Sequence, residues 1–322
     1  GRLSDYNPGV FRRWISFFVM FFYVFIISAC QAPANTVDMV QPESPDQEIW
    51  RLPPTWTIIP SINTETLQPT LRPSATPPLT PTPLPSLTPY DGLVSVIGHS
   101  VEGRPLEVVR FGNGVHMRMV IAGIHGGNEW NTIALADELI AYLRRDPQFV
   151  PDDVTLYFLR SLNPDGEARA HTADGRTNAN EVDLNRNFDA DWRADWPRKG
   201  CWTLRPVTAG PYPASEPETI AVSLFLLEHP VEALINYHSA ALGIFPAGDP
   251  PDPRSANLAQ AIDDVSPYPY PPYDTGCVFS GTLVDWAASL GIAAVDLELS
   301  NHTDTDFDIN LRVLAVLLSW QP

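Results

Sequence analysis

Lysine is almost missing from this 322-residue chain: Lys199 stands alone beside 19 arginines. Basic residues of both kinds number 20 against 38 acidic ones, a formal net charge of −18. A chain with that deficit lacks the cationic surface that neutralises phosphates, which excludes a nucleic-acid-binding role. Cysteine is scarce as well, with Cys30, Cys201 and Cys277 the only three. Proline is the opposite case, its 34 copies being about twice the usual share. With 44% hydrophobic and 10% aromatic residues the chain can bury a core, so the prolines belong to a separate, unpacked stretch.

That stretch follows a targeting segment. Residues 14–29 (WISFFVMFFYVFIISA) are apolar or small, preceded by Arg12 and Arg13 and followed at once by Cys30. The run is shorter than the roughly 20 residues of a spanning helix and has the layout of a signal peptide. Ile27-Ser28-Ala29-Cys30 resembles the bacterial lipobox, in which the cysteine thiol takes a diacylglyceryl group before cleavage. The expectation is a signal peptide over residues 1–29 and a lipidated Cys30, which places the protein outside the cytoplasm, anchored to the membrane; an ordinary signal peptide or an uncleaved anchor is the alternative. Between Gln31 and Pro89 lie 14 prolines and 10 threonines. Proline removes backbone donors and fixes φ near the polyproline II value, so residues 30–90 read as an extended, disordered stalk.

Residues 91–322 carry 32 acidic and 15 basic side chains and suffice for one single-core domain. Strand-type apolar runs recur at 93–97, 106–110, 117–121, 154–159, 231–236 and 292–297. Between them, apolar residues spaced by three and four predict helices at 133–143, 219–227, 257–264, 283–290 and 307–320. This alternation predicts an α/β fold with a central sheet covered on both faces, its chemistry gathered where strands end and loops begin. Cys201 and Cys277 are paired here as a disulfide, as expected outside the cytoplasm, with two free thiols or one catalytic cysteine as the alternatives.

Five segments hold most of the polar residues suited to catalysis: GIHGGNEW at 123–130, NPDG at 163–166, RTNANEVDLNRNF at 176–188, NYHS at 236–239 and DLEL at 296–299. Singly each is weak; a histidine after a strand is more often structural, and NPDG alone reads as a turn. As a set they converge. His125 and Glu129 come from one loop entering a helix and His238 follows a strand, so two imidazoles and a carboxylate fill three tetrahedral positions around one Zn2+ and leave the fourth open, as in catalytic rather than structural sites. Glu298 ends a strand-like run with a carboxylate that burial would penalise without a role, and it is the candidate general base. Arg176 and Arg186 supply fixed positive charge. The remaining histidines, including His302 four residues past Glu298, read as surface or satisfied residues.

In this order the motifs resemble the zinc metallocarboxypeptidase family, the carboxypeptidase A/B-like enzymes and their bacterial murein-peptidase relatives. SVEGR at 100–104 and GTLVDW at 281–286 extend the likeness over nearly the whole domain. The resemblance implies a mixed, twisted sheet between helices, and a monomeric enzyme that removes the C-terminal residue of peptides or murein peptides. It makes His125, Glu129 and His238 the zinc ligands and Glu298 the general base and acid, acting on the water that zinc activates. Arg176 would hold the oxyanion, Asn185 and Arg186 the substrate's terminal carboxylate, and Asp183 would orient a ligand histidine. Val284 aligns with the specificity position, implying an apolar or uncharged terminal residue.

Two features depart from the family's pattern. Gly126, Gly127 and Asn128 put three residues between His125 and Glu129 where the family usually has two, and a bulge at the glycines must absorb the third. The family's active-site tyrosine aligns with Cys277 without a gap and with Tyr273 if one is allowed, so Tyr273 is the candidate. A related zinc amidase or deacylase acting on small molecules, and a non-catalytic surface protein that only binds peptides, are the competing readings.

Overall fold

The computed structural model describes residues 91–240 and 242–322. The signal segment, Cys30 and the stalk lie outside the described residues. The elements run β1 (Asp91–His99), β2 (Pro105–Gly112), β3 (His116–Ile121), α1 (Trp130–Arg145), β4 (Val154–Leu159), α2 (Pro164–Glu167), α3 (Pro217–Glu228), β5 (Val231–Ser239), β6 (Ile244–Pro246), α4 (Pro253–Asp263), α5 (Leu283–Ser289), β7 (Ala293–Leu299) and α6 (Phe307–Ser319). One seven-stranded sheet has the order β1-β2-β4-β3-β5-β7-β6. β4, β3, β5 and β7 run parallel to one another, while β1, β2 and β6 pair antiparallel at the flanks. The α/β domain is thus the one the alternating pattern predicts, and its mixed sheet the one the resemblance implies.

Strand alternation sorts the core into two layers. In β4, Val154, Leu156 and Phe158 join the cluster under α1, α4 and α6, whereas Tyr157 and Leu159 join the one under α3 and α5. All six residues of β4 are buried, as a strand covered on both faces must be. Local signals set the helix ends: Asp252 and Thr282 cap α4 and α5 by accepting from the backbone N–H of Ser255 and Asp285, and Arg144 and Arg145 close α1, where its dipole favours cations. Two elements went unread in the sequence. β6 has three residues, too few to show a period, and NPDG is a single helical turn in which the Asn163 side chain accepts from the Gly166 N–H at 2.8 Å.

On β5 and β7 the same alternation places the site. Ala233, Ile235 and Tyr237, with Ala293, Val295, Leu297 and Leu299, face one core layer. Asn236 and His238, and Asp296 and Glu298, therefore share the opposite face. The register sets Asn236 beside Asp296 and His238 beside Glu298, at the carboxyl ends of neighbouring parallel strands, where an open α/β sheet leaves a crevice.

Candidate active site and metal centre

His125 and Glu129 follow β3 on one short turn. Gly126–Glu129 forms a 3-10 helix that brings the His125 Nδ1 to 2.7 Å from the Glu129 Oε1 across the three intervening residues. Glycine is obligatory there. Gly126 has φ +43°, and a β-carbon on Gly127 would lie 2.2 Å from the Ala170 carbonyl oxygen. The extra residue is taken up as a tight turn wedged against the 166–175 segment, and the ligand pair stays together.

From β5, His238 turns its Nδ1 to 3.1 Å from the Glu129 Oε2 and 3.2 Å from the His125 Nδ1. The three side chains are buried and their donor atoms all lie within 4.8 Å of one another. Each imidazole has a carboxylate behind it: the His125 Nε2 lies 3.0 Å from the Asp183 Oδ1, and the His238 Nε2 3.3 Å from the Asp296 Oδ1. The two ring nitrogens can share one proton between them, and with the Glu129 carboxylate they converge on a point that a metal ion could occupy. Two imidazoles and one carboxylate, with outer carboxylates fixing the rings, fit zinc.

The charges follow from this packing. Burial alone would raise the Glu129 carboxyl, but His125 and His238 outweigh it and hold it well below the carboxylate range. Asp183 is likewise held well down against its burial, by Arg176 and His125. His238 would be pushed down by burial, yet Asp296 and Glu129 hold it well above the ordinary histidine value. Glu298 behaves oppositely. Burial, reinforced by the Glu129 charge, pushes its carboxyl up to about 8, and its Oε2 has no hydrogen-bond partner. An unpartnered carboxyl oxygen beside the triad, on a side chain that keeps its proton near neutral pH, marks a proton-transfer group whose ionisation a bound cation would favour.

Arg176 is fixed by Asp183 through its Nε (3.0 Å) and Nη2 (2.9 Å), and its Nη1 reaches the Glu129 Oε1 at 3.3 Å. Arg186 is 5% exposed; its Nη1 donates to the Asn185 carbonyl at 2.6 Å, while its Nε is unpartnered. Asn185 accepts the Leu283 N–H at 2.9 Å and donates to the Asp296 Oδ2 at 3.1 Å, which ties the start of α5 to the site. All of these except Asp183 and Leu283 line one cavity of about 820 Å³, together with Glu298 and Val284.

Tyr273 is not brought there. It is 63% exposed and off the cavity wall, whereas Tyr270 lines it. Cys201 and Cys277, 76 residues apart in sequence, form a disulfide on the cavity wall. Two residues of the site, Asn236 and Asp296, have no role assigned from the sequence, while His302 is exposed and hydrogen-bonded, as a surface or satisfied residue should be. Asn236 donates to the Asp296 Oδ1 at 2.7 Å, so two asparagines clamp the carboxylate behind His238. His302 lines the cavity, and its Nδ1 is 2.9 Å from the Ser239 Oγ. The available signal was strand alternation: Asn236 and Asp296 each lie two residues before a site residue and so share its face.

Residues 88–311 match the family profile described as zinc carboxypeptidase, and the chain belongs to that family. It is similar to rat (Rattus norvegicus) mast cell carboxypeptidase A, 31% identical over 230 residues that cover 61% of this chain and 55% of the relative. Human (Homo sapiens) carboxypeptidase A6 is 27% identical over 243 residues, covering 63% and 54%. The chain thus spans about half the length of the curated relatives it matches. Among solved structures it is similar to bovine thrombin-activatable fibrinolysis inhibitor in complex with tick carboxypeptidase inhibitor, with TM-score 0.55, 22% identity and 70% and 87% of the two chains covered. Murein-tripeptide amidase from Escherichia coli O157 gives TM-score 0.52, 25% identity and coverages of 71% and 92%.

Proposed function

We propose that this chain is a zinc-dependent exopeptidase that hydrolyses the C-terminal peptide bond of peptides outside the cytoplasm. One observation carries the reading: the His125, Glu129, His238 triad shares a cavity with an unpartnered carboxyl, Glu298, and an unpartnered guanidinium nitrogen, the Arg186 Nε. His125, Glu129 and His238 would hold one zinc ion, which supplies Lewis acidity to the reacting carbonyl and to a water molecule.

The chain's own groups do the rest. Arg186 receives the terminal carboxylate of the substrate in a paired, charge-assisted hydrogen bond, which restricts attack to the last peptide bond. Arg176, immobilised by Asp183, places fixed positive charge where the oxyanion develops. Glu298 takes the proton of the attacking water at its Oε2 and returns it to the leaving amine nitrogen. Val284 lines the cavity, and its side chain favours an apolar or uncharged terminal residue. The disulfide and the signal-like segment at residues 1–30 support an extracytoplasmic, lipid-anchored location. The likeness to a murein-tripeptide amidase favours a murein peptide as a second substrate reading.

The test is mass spectrometry of the products when the zinc-loaded chain meets linear peptides, murein peptides and N-acyl amino acids, with and without a chelator, beside Glu298→Gln. Loss of one C-terminal residue is expected, abolished by the chelator and reduced about 100- to 10,000-fold by the substitution. Turnover confined to N-acyl amino acids would instead establish a deacylase, and tight binding without any turnover a peptide-binding protein.

A further inference from the structure

Two stretches without helix or strand, residues 187–216 and 264–282, build one wall of the cavity. They are stitched together at their base, where the Phe188 N–H donates to the Gly281 carbonyl at 3.0 Å and the Gly281 N–H to the Ala190 carbonyl at 2.8 Å. Farther out the Cys201–Cys277 disulfide joins them. The backbones touch at that point: a β-carbon on Gly200 would lie 2.0 Å from the Thr275 carbonyl oxygen.

The rings these stretches carry lie over the two arginines of the site. Trp202, next to Cys201, places its ring centre 4.6 Å from the Arg176 Cζ. Phe279, two residues past Cys277, lies 5.3 Å from the Arg186 Cζ, and Trp196 lies 5.7 Å from it. An aromatic ring attracts a guanidinium and excludes water beside it; the Arg186 Nε is left without a partner and open to a carboxylate, whereas the N–H groups of Arg176 are already taken by Asp183 and Glu129. Loops without regular structure hold rings in register only if their own freedom is removed, and a crosslink between them does so.

We propose that the Cys201–Cys277 disulfide is a positioning element for substrate binding: by fixing the loops that carry Trp196 and Phe279, it holds Arg186 where it receives the terminal carboxylate of the substrate. The proposal rests on the exopeptidase reading above. It assigns the disulfide an effect on affinity that a staple of the fold would not have.

The experiment compares the zinc-loaded full chain with the double variant Cys201→Ser/Cys277→Ser and, should that variant fail to fold, with Phe279→Leu, which keeps the disulfide and removes a ring beside Arg186. KM and kcat are measured on a peptide the parent cleaves, and the Kd of an N-acetylated amino acid, which offers a terminal carboxylate, is measured by calorimetry. In both variants KM and Kd should rise about tenfold while kcat changes by less than about threefold. Unchanged KM and Kd beside a lowered Tm would overturn the proposal, leaving only a staple, and so would an unchanged Kd in Phe279→Leu. A parent that binds the carboxylate without turning over any peptide would remove the exopeptidase reading, while the Kd comparison would still decide this one. A parent that binds no carboxylate would overturn both.

Discussion

Glu298 is set apart from the other acids of the site by what its neighbours do. Glu129, Asp183 and Asp296 each face a cation or donors that outweigh their burial, whereas burial dominates at Glu298 and raises its carboxyl to about 8. A folded-state value above the unfolded one of about 4.3 means that the folded protein binds the extra proton. Its contribution to stability is therefore fully present below the unfolded value and is lost as pH rises through about 8. In the zinc-free protein, Tm should fall between about pH 5 and 8, and the slope should be shallower in Glu298→Gln, whose side chain does not titrate. Parallel slopes for the two proteins, in scans across that range, would show that Glu298 is already ionised in the zinc-free fold.

The turn from β3 to α1 does at the level of an element what no single ligand could. It spends three residues between His125 and Glu129, and it can do so because Gly127 packs flat against the backbone at Ala170. Gly127→Ala would drive a β-carbon into that carbonyl, and the turn must shift. Zinc affinity, measured by chelator competition, should fall by at least about tenfold, with circular dichroism unchanged. Retained affinity would mean that the 170–175 segment yields instead.

Other elements show where the amino-acid pattern is readable and where it stops. The run expected at 154–159 coincides with β4, apolar but for Thr155, whereas the helical spacing at 133–143 and 307–320 finds α1 and α6 but misses their ends by up to three residues. β6 left no mark. Nor did the path of the proline-rich stretch before α5, which has no period to count along, so Tyr273 was favoured for the site although Tyr270 is the tyrosine on the cavity wall. The zinc ligands and Glu298 were legible because their chemistry is unusual at strand ends. Asn236, Asp296 and His302 act through hydrogen bonds to those residues or their neighbours, and their identities alone carry no such signal.

At the scale of the molecule, the site ties together parts of the chain far apart in sequence: Glu129 and His125 after β3, His238 at the end of β5, Asp183 and Arg176 from the long stretch between β4 and α3. A metal bound to such a site binds the folded state alone, so its affinity adds to stability by mass action. Zinc at about a thousand times its Kd should stabilise by about 4 kcal/mol, which for a domain of this size raises Tm by on the order of 10 °C. Calorimetric scans before and after chelation check this, and identical Tm values would mean that the site is empty or weak.

β7 is the last of the described strands in sequence yet an inner strand of the sheet, lying between β5 and β6. During synthesis, then, the metal-binding triad is complete some sixty residues before Glu298 appears. A chain interrupted in that interval holds its ligands without its base, and the edge of β5 that β7 should occupy stands open to any other strand. On the proposed reading, proton transfer by Glu298 arrives only with the strand that fills this edge, so an unfinished chain is sticky and a hazard to itself by aggregation.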